Sequence, residues 1–458
     1  MFNTIWISPG SDNKLIYEIF YGTSYLFFAV ITLLILLYNN ITDKKHLALT
    51  CLSIIGILYF KEFTPFINHE ENESSKNLLY LIAFAFVLIN LIRSKSSMIF
   101  RVGTIAIMPV AHKFVYSNNL FESLFFFVSL KLMLWGISEN NRDTRDLLIR
   151  RYKADFISVI LFFGSLIFFT MSTNGTEIYD VDVNNYTLYS VSMFFLLLLM
   201  LVHARVALFS SLTSFVKNSK EDGFVLDLFF SFFIFLSKFI FLFNVLLYEA
   251  EPVFQNSCIV FLKVFIPLSV VYHYLTSLTK SDLKSFIMSV LYSQVNIAVL
   301  GIVVTKSNSL YQEINFYLLG AILPVVVISG VLDRYKNPKG QIIKGSMKGL
   351  YYKDKVPSAL FIIAIMSLIG IPITLGFSSR FFLLVNYIQE KLTIQVALIL
   401  FGSLLILPKS IGILGNLFNK NFDEEIGFYS KISTRGKIIY LLLGISILIL
   451  GIYPKLLV

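Results

Sequence analysis

Lys131, Arg205, Lys238 and Arg380 stand inside long apolar runs of this 458-residue chain. At bilayer depth an ionisable side chain costs at least about 2.5 to 3.5 kcal/mol, so such residues usually face a bundle interior or a wet path, where they relay or steer ions. A lysine can release and regain its proton there; an arginine keeps its charge. Arg101, Lys113 and Lys263 lie nearer the run ends, where a long side chain reaches the headgroups, and Lys409 falls within another apolar run. Backbone chemistry adds to this at 368–377, LIGIPITLGF. Pro372 removes a backbone donor, and Gly370 and Gly376 loosen the turns around it. The pattern predicts a broken helix, with a plain proline kink as the alternative. Non-helical backbone at that depth must line protein or water. Since Arg380 follows closely, the freed carbonyls and the cation are expected to share a hydrated cavity.

The elements that position these groups must be membrane helices. The chain is 56% hydrophobic and 14% charged, whereas a soluble domain needs roughly 25% charged residues to cover its surface. Nucleic-acid binding proteins, secreted disulfide scaffolds and soluble metabolic enzymes are thereby excluded. The apolar stretches are continuous rather than alternating with period two, so a transmembrane β-barrel is excluded too. The fold class is all-α, a polytopic integral membrane protein. Apolar runs give fourteen candidate spans, near 17–38, 46–60, 77–92, 98–116, 120–137, 155–171, 187–209, 224–248, 257–277, 283–305, 313–331, 357–386, 393–416 and 437–455.

The net charge of +10 then becomes informative. Connections after odd-numbered spans hold 24 basic residues, including Arg145, Arg150, Arg151 and Lys153; those after even-numbered spans hold only Lys61, Lys76, Lys306 and Lys391. Cytoplasmic loops carry such an excess, so both termini are expected on the outer side. The first thirteen residues lack a basic start followed by an apolar core, so the first span is expected to remain as a membrane helix. Cys51 and Cys258 show neither metal-ligand nor disulfide-framework spacing.

Three segments carry a family likeness. Residues 367–382, SLIGIPITLGFSSRFF, resemble the GIPxTxGFxGKF segment of the antiporter-like membrane subunits shared by respiratory complex I (subunits L, M and N) and the multisubunit cation/proton antiporters. Residues 282–294, DLKSFIMSVLYSQ, are similar to the start of that family's tenth span, and 448–454, LILGIYP, to its close. The resemblance implies inverted five-helix repeats with broken helices, one core over 120–248 and a second over 257–416, followed by a C-terminal helix at 437–455, all within one membrane domain. It implies proton movement along buried lysines, in company with other integral membrane subunits and the lipid bilayer and without nucleic acid. The membrane is expected to be the bacterial inner membrane, or the mitochondrial inner membrane.

Carried over residue by residue, the family's fifth-span glutamate falls at Lys131, its seventh-span lysine at Arg205, its eighth-span lysine at Lys238, its tenth-span histidine at Gln294 and its twelfth-span lysine at Arg380. Only Lys238 keeps a titratable group of the family's kind. His203 beside Arg205 is a substitute carrier, although a lone membrane histidine is more often simply packed and hydrogen-bonded; Lys409 is a further auxiliary group. Lys131 and Arg205 raise each other's cost unless an acid such as Asp155, Glu122 or Asp227 compensates. Two functions remain: a divergent proton- or cation-translocating subunit with Lys238 as carrier and Arg380 as a fixed charge, or a scaffold that has lost the relay. A transporter or membrane enzyme of another family is a third possibility, but few polar groups are available for its substrate pocket. No metal, cofactor or redox chemistry of its own is implied.

Overall fold

The computed structural model describes residues 107, 110, 111, 113–138, 145–178, 181–206, 234–280, 283–304, 308–332, 348–419 and 434–454. The candidate spans at 17–38, 46–60 and 77–92, most of 98–116 with Arg101, the 207–233 stretch with Asp227, and Cys51 lie outside them.

Apart from one isolated bridge between Asn119 and Glu177, the described elements are helices. We label them α1 (Leu120–Ser138), α2 (Arg145–Thr173), α3 (Tyr186–His203), α4 (Phe235–Glu249), α5 (Pro252–Thr279), α6 (Leu283–Val304), α7 (Asn308–Leu332), α8 (Lys355–Ile369), α9 (Leu375–Gln389), α10 (Thr393–Leu405), α11 (Leu407–Leu417) and α12 (Thr434–Ile452). Six stretches among the described residues are long and apolar enough to cross a membrane: Asp155–Thr173, Tyr186–His203, Pro252–Thr279, Ser285–Val304, Glu313–Leu332 and Thr393–Leu417.

Local chemistry sets the helix ends. Asn185 caps α3, its Oδ1 accepting from the amides of Thr187 at 3.1 Å and Leu188 at 3.3 Å, and Pro252 opens α5 at a position that needs no donor. Several expected boundaries shift. Helix α2 begins at Arg145, so Arg145, Arg150, Arg151 and Lys153 belong to the helix rather than to the connection before it. The expected span at 187–209 stops being helical after His203. The 357–386 span is two helices, α8 and α9, and the 393–416 span is likewise divided at Ile406, just before Pro408.

Packing places α6 and α7 at the centre, their membrane-spanning windows wholly buried. Helix α5 covers α6 and packs on α10, while α8, α9 and α12 surround α7. In the other half α2 packs on α3, and α3 on α4. An aromatic cluster of Phe114, Phe127, Phe162, Phe235 and Phe239 ties α1, α2 and α4 to the helical residues that end at Tyr116. The 117–119 connection is drawn against the end of α2, with the Leu120 amide donating to the Thr176 carbonyl and the Ile178 amide to the Asn118 carbonyl, each at 2.8 Å.

Candidate functional site: cations on helix ends

A helix leaves its last carbonyls without amide partners, and these concentrate negative potential. Three of the singled-out cations, Lys238, Lys409 and Arg380, bind such ends. Lys238, fully buried on α4, donates to the carbonyls of Ser117 at 2.5 Å and Val115 at 3.3 Å, where the helix before α1 stops. Its ammonium also lies 5.4 Å from the Phe241 ring centre. Lys409 donates to the carbonyls of Leu278 at 3.0 Å and Lys280 at 2.6 Å, and to that of Ser277, at the end of α5.

The break between α8 and α9 shows the same arrangement in most detail. Helix α8 ends in a Schellman turn: the Ile371 amide bonds the Met366 carbonyl at 2.9 Å, the Gly370 amide bonds that of Ser367 at 3.0 Å, and Gly370 takes φ +89°. Pro372 then prevents continuation, and Ile373 is also left-handed at φ +77°. The freed carbonyls go to side chains. Arg380 reaches back from α9, with Nη1 on the Ile369 carbonyl at 2.8 Å and Nη2 on that of Leu368 at 3.2 Å. Gln294 Nε2 shares the Leu368 carbonyl at 3.3 Å and also meets the Tyr274 hydroxyl at 3.3 Å, while Tyr317 donates to Gln294 Oε1. Thus Gly370, Pro372, Gly376, Gln294 and Arg380 do come together as one site, and the break is more than a proline kink.

Helix α3 ends in a Schellman turn of the same form, with the Val206 amide on the Leu201 carbonyl at 3.1 Å and the Arg205 amide on that of Val202 at 3.2 Å. Here the left-handed residue is Arg205 itself, at φ 52°. His273 Nε2 takes the Arg205 carbonyl at 2.6 Å and Asn296 Nδ2 takes that of Ala204 at 3.2 Å, joining α3 to α5 and α6. The guanidinium stacks 4.6 Å from the Tyr292 ring centre. Arg205→Val and Arg205→Gly both remove that stack, so their comparison isolates the backbone. Arg205→Val is expected to be less stable by roughly 1 to 2 kcal/mol, because only the glycine takes a left-handed φ without steric cost. Thermal unfolding of the two purified variants in detergent checks the difference.

Lys131 resolves the expected like-charge problem. Its Nζ is 2.6 Å from Asp155 Oδ1 on α2 and 4.8 Å from the Phe235 ring centre. His203 packs on Phe127, Phe235 and Phe239, and its Nδ1 donates to the Leu199 carbonyl of its own helix at 2.9 Å.

His273, Asn296, Tyr274 and Tyr317 were not singled out in the sequence. The available signal is the polar run within α6, where Ser289, Ser293, Gln294 and Asn296 are all buried in a helix with no exposed face.

The family of membrane segments described as NADH:quinone oxidoreductase/Mrp antiporter, TM, matches residues 149–406. The NADH-quinone oxidoreductase subunit N of Blochmanniella floridana is 27% identical over 173 residues, which cover 35% of this chain and 34% of that one. This chain spans about half the length, or less, of the curated relatives it matches. A chain of respiratory complex I from Thermus thermophilus, solved with bound aureothin, superposes with a TM-score of 0.77 at 18% identity, covering 94% of this chain and 97% of that one. A chain of the Mrp complex from Dietzia sp. DQ12-45-1b gives a TM-score of 0.69 at 13% identity, covering 95% and 94%. At these identities the superpositions establish a shared fold.

Proposed function

Because this chain belongs to the NADH:quinone oxidoreductase/Mrp antiporter family of membrane segments, we propose that it moves protons as one integral subunit of a larger membrane assembly, with Lys238 as the carrier. In this reading fourteen spans, both termini outside, hold two inverted repeats over 120–248 and 257–416 in a bacterial inner membrane. The observation that carries it is the placement of Lys238. Its ammonium is wholly enclosed and bonded to two backbone carbonyls, acceptors that hold a protonated amine without forming a permanent ion pair with it.

Arg380 and Arg205 act as fixed charges, the first tying the α8–α9 break together and the second stacked where the two halves meet. Arginine does not release its proton under these conditions, so neither is a relay group. The pairing of Lys131 with Asp155 keeps the α1–α2 side neutral around His203.

The experiment is proton flux through membrane vesicles containing the complete assembly. Lys238→Ala is expected to lower flux to the leak of vesicles lacking the complex, with the assembly present in unchanged amount. Native flux in that variant would remove Lys238 from the path. A scaffold reading is favoured by one observation, that the break site holds an arginine and an amide, Arg380 and Gln294, rather than groups that exchange protons. It expects Lys238→Ala to change the amount of assembled complex and not the flux per complex.

A further inference from the structure

The end of α3 is held in a conformation that its own sequence does not favour. Arg205 is left-handed at φ 52°, and a non-glycine residue stays there only where its surroundings over-determine it. Two buried side chains contribute, one from α5 and one from α6. His273 on α5 is 3% exposed, and its Nε2 lies 2.6 Å from the Arg205 carbonyl oxygen. A carbonyl can only accept, so Nε2 carries the hydrogen. Asn296 on α6 is fully buried and donates to the neighbouring Ala204 carbonyl at 3.2 Å, while its own Oδ1 accepts from Ser269 at 3.4 Å. Tyr292, one turn before Asn296, completes the arrangement. Its ring lies 4.6 Å from the Arg205 guanidinium and 5.6 Å from the His273 ring, and its carbonyl accepts from Asn296 Nδ2 at 2.7 Å. One α5–α6 surface therefore grips both the backbone and the side chain of Arg205.

We propose that His273 is a positioning residue for the Arg205 charge: its bond to the Arg205 carbonyl, with Asn296 beside it, holds the guanidinium on Tyr292, and proton movement depends on that placement. The inference rests on the reading of this chain as a proton-moving subunit in which Arg205 is a fixed charge. In a medium of low dielectric a charge acts strongly on its surroundings and the effect falls with distance, so where it is held matters as well as its presence. Releasing the carbonyl leaves a strained residue with one tie fewer. The end of α3 then relaxes out of the left-handed conformation and carries the guanidinium off the ring. His273 gives up no proton in this role; it supplies the Nε2–H bond.

Proton flux per assembled complex, in vesicles containing the complete assembly, tests this. A glutamine amide reaches the position of the imidazole Nε2, whereas an asparagine amide reaches only that of Nδ1. His273→Gln is therefore expected to keep most of the native flux, and His273→Asn to lower it about tenfold, in line with the cost of misplacing a group remote from the chemistry. Arg205→Gln, which removes the charge, is expected to lower flux to a similar level. Adding His273→Asn to Arg205→Gln is expected to lower it no further, because residues that act as one unit are not additive. Equal flux in His273→Gln and His273→Asn overturns the proposal, since the bond to the Arg205 carbonyl then does not matter. A further loss in the double variant overturns it too, by giving His273 a role apart from Arg205. Lys238→Ala keeps the two readings distinct: native flux there removes Lys238 from the path, while the contrast between His273→Gln and His273→Asn decides the positioning role in either case.

Discussion

A single methyl group placed on Gly376 is expected to destabilise the protein by about 3 kcal/mol or more, at the upper end for an overpacked core position. An ideal Cβ there would lie 1.8 Å from the Ser367 carbonyl oxygen and 2.7 Å from its carbon. Both are backbone atoms of the last turn of α8, so no rotamer change relieves the clash and the two half-helices must separate. Separation also breaks the bond from the Gly376 amide to Ser367 Oγ, 3.0 Å in the native arrangement, and pulls Arg380 away from its carbonyls. Gly412→Ala is the matched control, since its Cβ would meet nothing within 4 Å. On helix propensity that change is expected to be neutral or stabilising by up to about 1 kcal/mol. Thermal unfolding of both variants in one detergent measures the contrast, and equal midpoints would mean that the break does not need close backbone contact.

Arg380→Met is expected to cost about 2 to 5 kcal/mol. The change leaves the Ile369 carbonyl without its guanidinium partner and Leu368 with Gln294 alone; a buried acceptor deprived of its donor costs roughly 1 to 3 kcal/mol. The bond from Nη1 to Ser403 Oγ, at 3.3 Å, is lost as well. Arg380→Lys keeps the charge but replaces a planar fork by a single point of attachment, so it is expected to fall between native and Met. A denaturation series in detergent gives the order. If Met unfolds with Lys, the fork rather than the charge was holding the break; if Met matches native, the two carbonyls are satisfied by water.

The membrane class and the position of the break were legible because each rests on a local rule. Low charge content requires lipid around the chain, and the Gly-Ile-Pro sequence at Gly370 gives an αL-tolerant residue followed by one that cannot donate. The site around Arg380 was legible for the same reason, since the cation lies one helical reach from the carbonyls freed by the break. Elsewhere the partners came from distant sequence. Asp155 lies 24 residues from Lys131, and His273 lies 68 residues from Arg205, separations at which spacing says nothing about contact. The left-handed Arg205 was hidden for a different reason. Nothing in its residue type favours that conformation, so the end of α3 at His203 is set by the bonds that its carbonyls find on α5 and α6 rather than by a local stop signal. The pairing of Lys238 with carbonyls was likewise hidden, because an acceptor on the backbone leaves no mark in the sequence.

The two ties across the break run in opposite directions. Arg380 extends from α9 back to α8, and Ser367 on α8 holds an amide of α9. Each restrains the motion that would slacken the other, so the joint behaves mechanically as a braced corner and not as a hinge. A bent rod braced in this way is expected to turn as one piece, so that a push on α9 is passed on toward α8 rather than absorbed at the break.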